Sequence, residues 1–395
     1  MRDRESHLVA GGRPWLVVAV ATGLIAFLLG VRFRPVQAWS AFLVSSFFFL
    51  TVALGGLVFL AIMYVSNAGW HTVFKRVPEA LTDCLPASAF SMLAVLAGAR
   101  WLYPWTDADA VVHDELLSAK ASYLNMNFFA ARMVGVLALW VFFGLMTRRY
   151  SLRQDTDADI KYTRRNVVLS AIFLALFPFS FSMASIDWLM SLDPHWTSTI
   201  VGLYQIAGLL SATVAAISIV GILLRRRGAL PDLAETHLHD LGKLLFAFST
   251  VWAYLWVSQY LLIWYTNFPE ETGYYLVRLQ GGASFLFYLN MVLNWALPFV
   301  VLLRRSAKRS EQTLLWTSAI VLVGRWLDIH LQVVPAVQRP VGIGILDVAL
   351  LLGFGAAFLL MTDRALGKAP LLAEGDPYLV EALQTLRVEE GRPPQ

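Results

Sequence analysis

Ten apolar runs govern what this chain can become. They lie near residues 15–31, 40–65, 84–102, 127–147, 167–189, 199–224, 243–265, 283–303, 313–332 and 343–361. Each approaches or exceeds the ~20 residues that an α-helix needs to cross a bilayer. The runs are too long and too evenly apolar for the strands of a membrane barrel, which alternate over about 10 residues. The expected fold is all-α: a polytopic membrane protein with about ten transmembrane helices over residues 1–362, and a tail over 363–395. Of the 395 residues only 15% are Asp, Glu, Lys or Arg, against about 25% in soluble proteins. That composition excludes a soluble enzyme, a disordered chain and a disulfide scaffold. Every connection is shorter than the ~50 residues that a domain with its own core requires. Any chemistry therefore takes place in the membrane or at its surface.

Charge gives the orientation. With the N-terminus in the cytoplasm, inner segments hold 23 of the 31 lysines and arginines and outer loops hold 6; Arg132 and Arg325 lie within spans. The positive-inside rule then places both termini in the cytoplasm. The basic balance reflects topology, and no nucleic-acid partner is expected. Arg2, Arg4 and Arg13 ahead of the first run imitate a signal peptide, but the run is long, and Arg32-Phe33-Arg34 follows it in place of a small-residue cleavage site. A retained first helix is expected. The single cysteine, Cys84, leaves no internal disulfide, no Cys-ligated cluster and no C-x-x-C-H haem attachment. Of the seven histidines only His330 falls clearly within a span, so no facing pair of axial haem ligands is available. No metal, haem or iron–sulfur cluster is expected on this chain.

Charged side chains within spans are costly and usually face a bundle interior or a polar cavity. Five stand out: Arg132, Asp187, Arg325, Asp328 and Asp347, all in the outer half by the topology above. The clustering suggests a polar pocket or proton path opening outward. Arg325 and Asp328 are three apart and share a helix face, which also suits a self-neutralising pair that lets the helix insert. Arg132 either tunes such a pocket or snorkels to headgroups. Asp187 is either a proton acceptor or a carboxylate bonded to loop amides. His195, in Asp193-Pro194-His195-Trp196, reads as a helix-start signature or as a proton acceptor at the surface.

Other polar residues are weaker candidates. Tyr254, Ser258 and Gln259 sit in the seventh helix, and Glu270 and Glu271 follow it. Glu79, Asp83, His239, Asp240 and Lys243 lie near inner helix starts, where acids suit the helix dipole. The segment 103–126, with Asp107, Asp109, Asp114 and Glu115, reads as a solvated surface. The tail positions Leu379, Val380, Leu383 and Leu386 form a short amphipathic stretch, expected to fray rather than lie on the membrane. A faint echo links Ile186-Asp187-Trp188 of the fifth helix with Leu327-Asp328-Ile329 of the ninth. Two four-helix halves, helices 2–5 and 6–9, with a helix added at each end would fit it.

Longer stretches carry a resemblance. The segment from Ser185-Ile186-Asp187-Trp188 through Asp193-Pro194-His195-Trp196 to Thr199, the run His239-Asp240-Leu241-Gly242-Lys243, the run Ser258-Gln259-Tyr260 with Pro269-Glu270-Glu271, and Arg278-Leu279-Gln280-Gly281-Gly282 resemble the NrfD or polysulfide-reductase membrane-subunit family. Within it they are most similar to the second such subunit of alternative complex III. Weaker similarity runs from Gly55-Gly56 through Lys120 and Tyr123-Leu124-Asn125 to Arg325 and Asp328, and the chain departs from the usual pattern at His330. The resemblance implies two four-helix bundles that face quinol or quinone, in a bacterial cytoplasmic membrane. It implies as partners a second NrfD-like membrane subunit, an extracytoplasmic iron–sulfur subunit and c-type cytochrome subunits.

On that footing, Asp187, His195 and Asp328 are candidate proton acceptors. Arg132, Gln259 and Arg325 are candidates for the quinol pocket or its charge tuning. A proton path would link Asp328 and Asp347 to Tyr254 and Ser258, with Glu79, Asp240 and Lys243 at the inner mouth and Glu270 at the exit. Two rivals stand beside this reading: a proton-coupled transporter acting alone, for which Pro178 and Pro298 are the candidate helix breaks, and a scaffold subunit without chemistry.

Overall fold

A computed structural model describes residues 8–9, 12–380 and 382–383 of the chain. Among these residues there are helices and no strands. Ten helices are long and apolar enough to cross a membrane: α1 (Arg13–Phe33), α2 (Pro35–Val65), α3 (Arg76–Leu102), α4 (Met126–Asp157), α5 (Lys161–Trp188), α6 (Val201–Arg226), α7 (Glu235–Thr266), α8 (Gly282–Leu302), α9 (Glu311–Val337) and α10 (Ile345–Leu366). All ten runs of the sequence become helices. Several helices outrun their apolar windows, because a helix continues wherever its backbone bonds are satisfied. Thus α4 carries on through Arg148 to Asp157, and α3 starts at Arg76.

The helices α2 and α6 form the interior. The first packs against α3, α5, α6, α9 and α10, the second against α2, α5, α7 and α9. Small residues let the backbones approach, as is usual where lipid offers no hydrophobic drive. A Cβ on Gly55 would collide with Thr213 of α6, and one on Gly56 would stand 2.6 Å from the Pro78 carbonyl oxygen of α3. Likewise Gly23 of α1 lies against Gly353 of α10, where a Cβ would come within 2.9 Å of the facing Cα. Outer faces are apolar too: Val168, Ile172, Leu176 and Phe179 make an exposed stripe along α5. Such a surface suits hydrocarbon surroundings and not water. The chain is a multi-pass membrane protein.

Two connections differ from expectation. Segment 103–125 is not simply a solvated surface. It forms short helices capped by Asp107 and Asp114, and Trp105 and Leu117 are buried beneath it. The chain after α10 also packs. Asp376 is buried and pairs with buried Lys75 at 2.6 Å, and the Pro370 carbonyl accepts from Arg76 Nε at 3.2 Å. Leu379 is buried and Val380 exposed, while Leu386 lies outside the described residues. The expected fraying is corrected as far as residue 380, because an ion pair and Gly375 against the Gln154 backbone hold this segment down. Replacing Asp376 by Asn should free it. Amide exchange across residues 370–380 should then accelerate about tenfold or more, read by hydrogen-exchange mass spectrometry.

Candidate functional site

The richest polar centre surrounds Asp328, which is 2% exposed. Four helices supply its donors. From α6 comes the Tyr204 hydroxyl; from α7, Trp252 Nε1 at 3.3 Å; from α8, Asn290 Nδ2 at 3.1 Å; from α9 itself, Arg325 NH1. Arg325 also donates to Gln205 Oε1, and Gln205 donates to Gln332. The carboxylate thus has a donor for each of its four lone-pair sites. The orientation of Asn290 is fixed by Asn294, one turn later, which donates to Asn290 Oδ1 at 2.7 Å.

The local sequence makes room for this centre. Gly208 lies where any side chain would strike the Arg325 guanidinium, and a Cβ on Gly324 would come within 2.9 Å of Asn294 Nδ2. The residues Val292–Ala296 of α8 form a π-helical turn between Asn290 and Pro298. Such turns are rare and recur at functional sites.

A cavity of about 30 Å³ borders Asp328, Tyr204, Asn290, Gln259 and Gln332. It has room for a water or two and none for a quinone ring. Its wall toward the surface is Tyr274 and Arg278, which also line a cleft of about 490 Å³ with Asp193, His195 and Glu270. Arg278 is buried, and among the described residues no carboxylate forms an ion pair with it. It donates to the carbonyls of Leu331 at 2.8 Å, Tyr274 and Gln332, and lies 3.3 Å from the Tyr274 ring centroid. Burial lowers its pKa from the ordinary value, and the nearby Tyr274 works against that. Tyr274 stacks in turn on Trp196, ring centroids 4.0 Å apart.

The five intramembrane charges do not share one pocket. Asp328 and Arg325 form the centre just described. Arg132 and Asp187 make a separate bidentate pair, at 2.7 and 3.1 Å. The Arg132 guanidinium is sandwiched near Tyr123 and Phe128 and donates to the Tyr123 carbonyl. Arg132 therefore pairs instead of snorkelling, and Asp187 bonds a guanidinium and not loop amides. Asp347 is the third place: it caps its own helix by accepting from Gly344 N at 2.8 Å and stands 3.5 Å from His330 Nδ1.

The remaining candidates are scattered. His195 is exposed and bonds Asp114 at 2.7 Å, tying two loops together. Tyr254 is 69% exposed, on an outer face, and Ser258 is half-buried. The expected relay from Asp328 and Asp347 through these two is corrected: Tyr204 and Trp252, on the inward faces of α6 and α7, are the residues that reach Asp328. Gln259 does reach the centre, lining its cavity and accepting from Ser198 at 3.4 Å. Glu270 is exposed at the start of the short helix Pro269–Leu279. Asp240 and Lys243 pair with each other at the opposite end, at 2.6 Å.

Glu79 sits at that opposite end in a buried ionic network. It accepts from Arg76, Arg148 and Ser151, while Arg76 also pairs with Asp155. Close by, His71 is 3% exposed and its pKa is pushed down to about 4, by burial first and by Lys75 second, against smaller opposing effects of Asp376 and Glu79. The unfolded chain takes up this proton near pH 6.5, the folded chain only near 4. Stability present above pH 6.5 should therefore be lost as pH falls to about 4, by about 3 kcal/mol. Melting curves of wild type and His71→Phe across that window should show a shallower acid limb for the variant.

Sequence reading missed Tyr204, Gln205, Trp252, Asn290 and Gln332, and met Arg278 only as part of a resembling run. One available signal was Asn290 and Asn294 four apart within an apolar span, a spacing that stacks two amides on one face. Among the described residues, no group of three or more His, Cys, Asp or Glu is placed to hold a metal ion. Neither the protein-family models nor the curated proteins compared with this chain match it.

Proposed function

We propose that this chain is a non-haem membrane subunit of a quinol-oxidising respiratory or photosynthetic complex of the alternative complex III type. Its own chemistry is proton transfer at Asp328. Partners are a second NrfD-like membrane subunit, an extracytoplasmic iron–sulfur subunit and c-type cytochromes, in a bacterial cytoplasmic membrane with both termini inside. The contacts among α2–α5 and among α6–α9, with α1 packed on α10, support two four-helix bundles and a flanking helix at each end. The charge bias of the loops supports the orientation.

The observation that carries the reading is a carboxylate bonded from all four helices of the second bundle, beside a water-sized cavity whose outer wall, Tyr274 and Arg278, borders the surface cleft. A proton on Asp328 must displace one of its donors. Tyr204 and Arg325 are the groups that set how readily this happens. The cavity is too small for the quinone ring, so no quinol step is assigned to it.

The test is turnover of assembled complex with unchanged cofactor content. Asp328→Asn should lower quinol-driven electron transfer and proton release about tenfold or more, and Tyr204→Phe should lower them less. Full turnover and proton release in both variants would leave the chain a scaffold. One observation favours the transporter: the π-turn at Val292–Ala296 interrupts α8 beside Asn290, as in transporters with broken helices.

A further inference from the structure

The short helix Pro269–Leu279 stands between the Asp328 cavity and the surface cleft, since its Tyr274 and Arg278 line both. The sequence of α9 explains how it is held there. Pro335 has no N–H to give the Leu331 carbonyl four residues back, so that acceptor is left open. Arg278 Nε fills it at 2.8 Å, and the same guanidinium reaches the Gln332 carbonyl at 3.3 Å. The stack of Tyr274 on Trp196 adds a second hold. Gln332 carries the contact inward. Its side chain donates to the Asp328 carbonyl at 3.2 Å and accepts from Gln205, which in turn accepts from Arg325. Carbonyls are nevertheless a weak match for a buried cation, which is normally met by a carboxylate. Among the described residues Arg278 forms no such pair, while Asp193 and Glu270 line the neighbouring cleft and form no ion pair either.

We propose that the helix Pro269–Leu279 is the gate of the Asp328 cavity, with two resting places for Arg278. In the closed state, the one described here, Arg278 sits on the α9 carbonyls and the wall shuts the cavity. In the open state the helix swings outward, Arg278 pairs with Asp193 or Glu270, and the cavity joins the cleft. The proposal rests on the proton-transfer reading above and deepens it by saying when Asp328 meets outside water. Both ends of the helix suit a hinge. Asn267 precedes it at φ +51°, and Gly281 follows it at φ +56° and ψ −140°, a backbone conformation that glycine adopts and other residues avoid. A Cβ on Gly281 or Gly282 would meet nothing within 4 Å, so there is room to move. The closed wall also acts by charge. A guanidinium is always protonated, and one standing across the exit repels a proton coming from the cleft, as arginines do in pores that exclude cations. In the open state a carboxylate neutralises it, and that barrier falls as the path opens.

The experiment is thiol accessibility in the purified native complex. Cys84 is the single cysteine of the chain and is buried, so a cysteine placed in the cavity is the one this chain offers to a reagent. Gln259 lines the cavity. Gln259→Cys is treated with a charged methanethiosulfonate, and the adduct is followed by mass spectrometry of the α7 peptide. Modification should be slow, and adding Arg278→Gln or Tyr274→Ala should speed it at least about tenfold. Asp193→Asn with Glu270→Gln removes the open-state partners of Arg278 and should slow it by about three- to tenfold. The opposite sign separates a gate from a loosened fold, which only speeds modification. Rates that do not differ among these variants, acceleration by the Asp193 and Glu270 changes, or a Gln259→Cys rate equal to that of His195→Cys on the surface would overturn the proposal. The two readings fail separately. If the rates follow the gate while Asp328→Asn keeps full proton release, the gate stands and the proton-transfer reading falls. If Asp328→Asn stops proton release while the rates do not respond, the gate alone falls.

Discussion

Asp328→Ala should be the most damaging single substitution in the membrane region. It strips Arg325, 1% exposed, of the carboxylate paired with it, and leaves Tyr204, Trp252 and Asn290 without their shared acceptor. Breaking a buried ion pair from one side costs about 3–5 kcal/mol, because the remaining charge is uncompensated. The double variant Arg325→Met with Asp328→Leu removes both charges and should recover most of that loss. Thermal unfolding of the detergent-purified protein checks both. A single variant as stable as wild type would mean that the pair is not buried as described. The recovery also separates stability from chemistry: the double variant should fold and still fail to release protons.

Glu79→Ala should rank second, at about 3 kcal/mol or more. Glu79 is 1% exposed and receives Arg76, Arg148 and Ser151 together. Without it the carboxylates left to these two guanidinium groups, among the described residues, are Asp155 and, at 3.5 Å, Asp83. An exposed pair gives the contrast. Lys161 and Asp159 are both about half exposed, and Asp159→Ala should change stability by no more than about 0.5 kcal/mol. Equal effects of the two substitutions would show that the network at the Glu79 end is open to water.

The ten helices were legible because apolar length is a local property of the sequence. Intramembrane charges were legible as a set, since Arg132, Asp187, Arg325, Asp328 and Asp347 each interrupt an apolar run. Their pairing was not. Arg132 meets Asp187 across 55 positions of chain, and Asp328 gathers donors from α6, α7 and α8, whose arrangement no periodicity specifies. Depth alone therefore merged three separate places into one pocket. Tyr254 and Ser258 were chosen because they share a helix face, but that face turns outward, and Trp252 on the same helix makes the bond to Asp328. The Glu79 end was misjudged for another reason. Arg76, Arg148, Asp155 and Asp376 fall outside the apolar runs, where the sequence gives no sign of burial, yet α3 and α4 continue into that region and the segment 370–380 covers it.

Composition of the native assembly is the most direct test of the central claim, that this chain belongs to a quinol-oxidising complex. The protein should be purified in mild detergent from its own membrane and its companions identified by mass spectrometry. An iron–sulfur protein, c-type cytochromes and a second NrfD-like membrane subunit should accompany it in stoichiometric amounts. A stable chain that purifies without any redox partner would contradict the claim and favour the transporter.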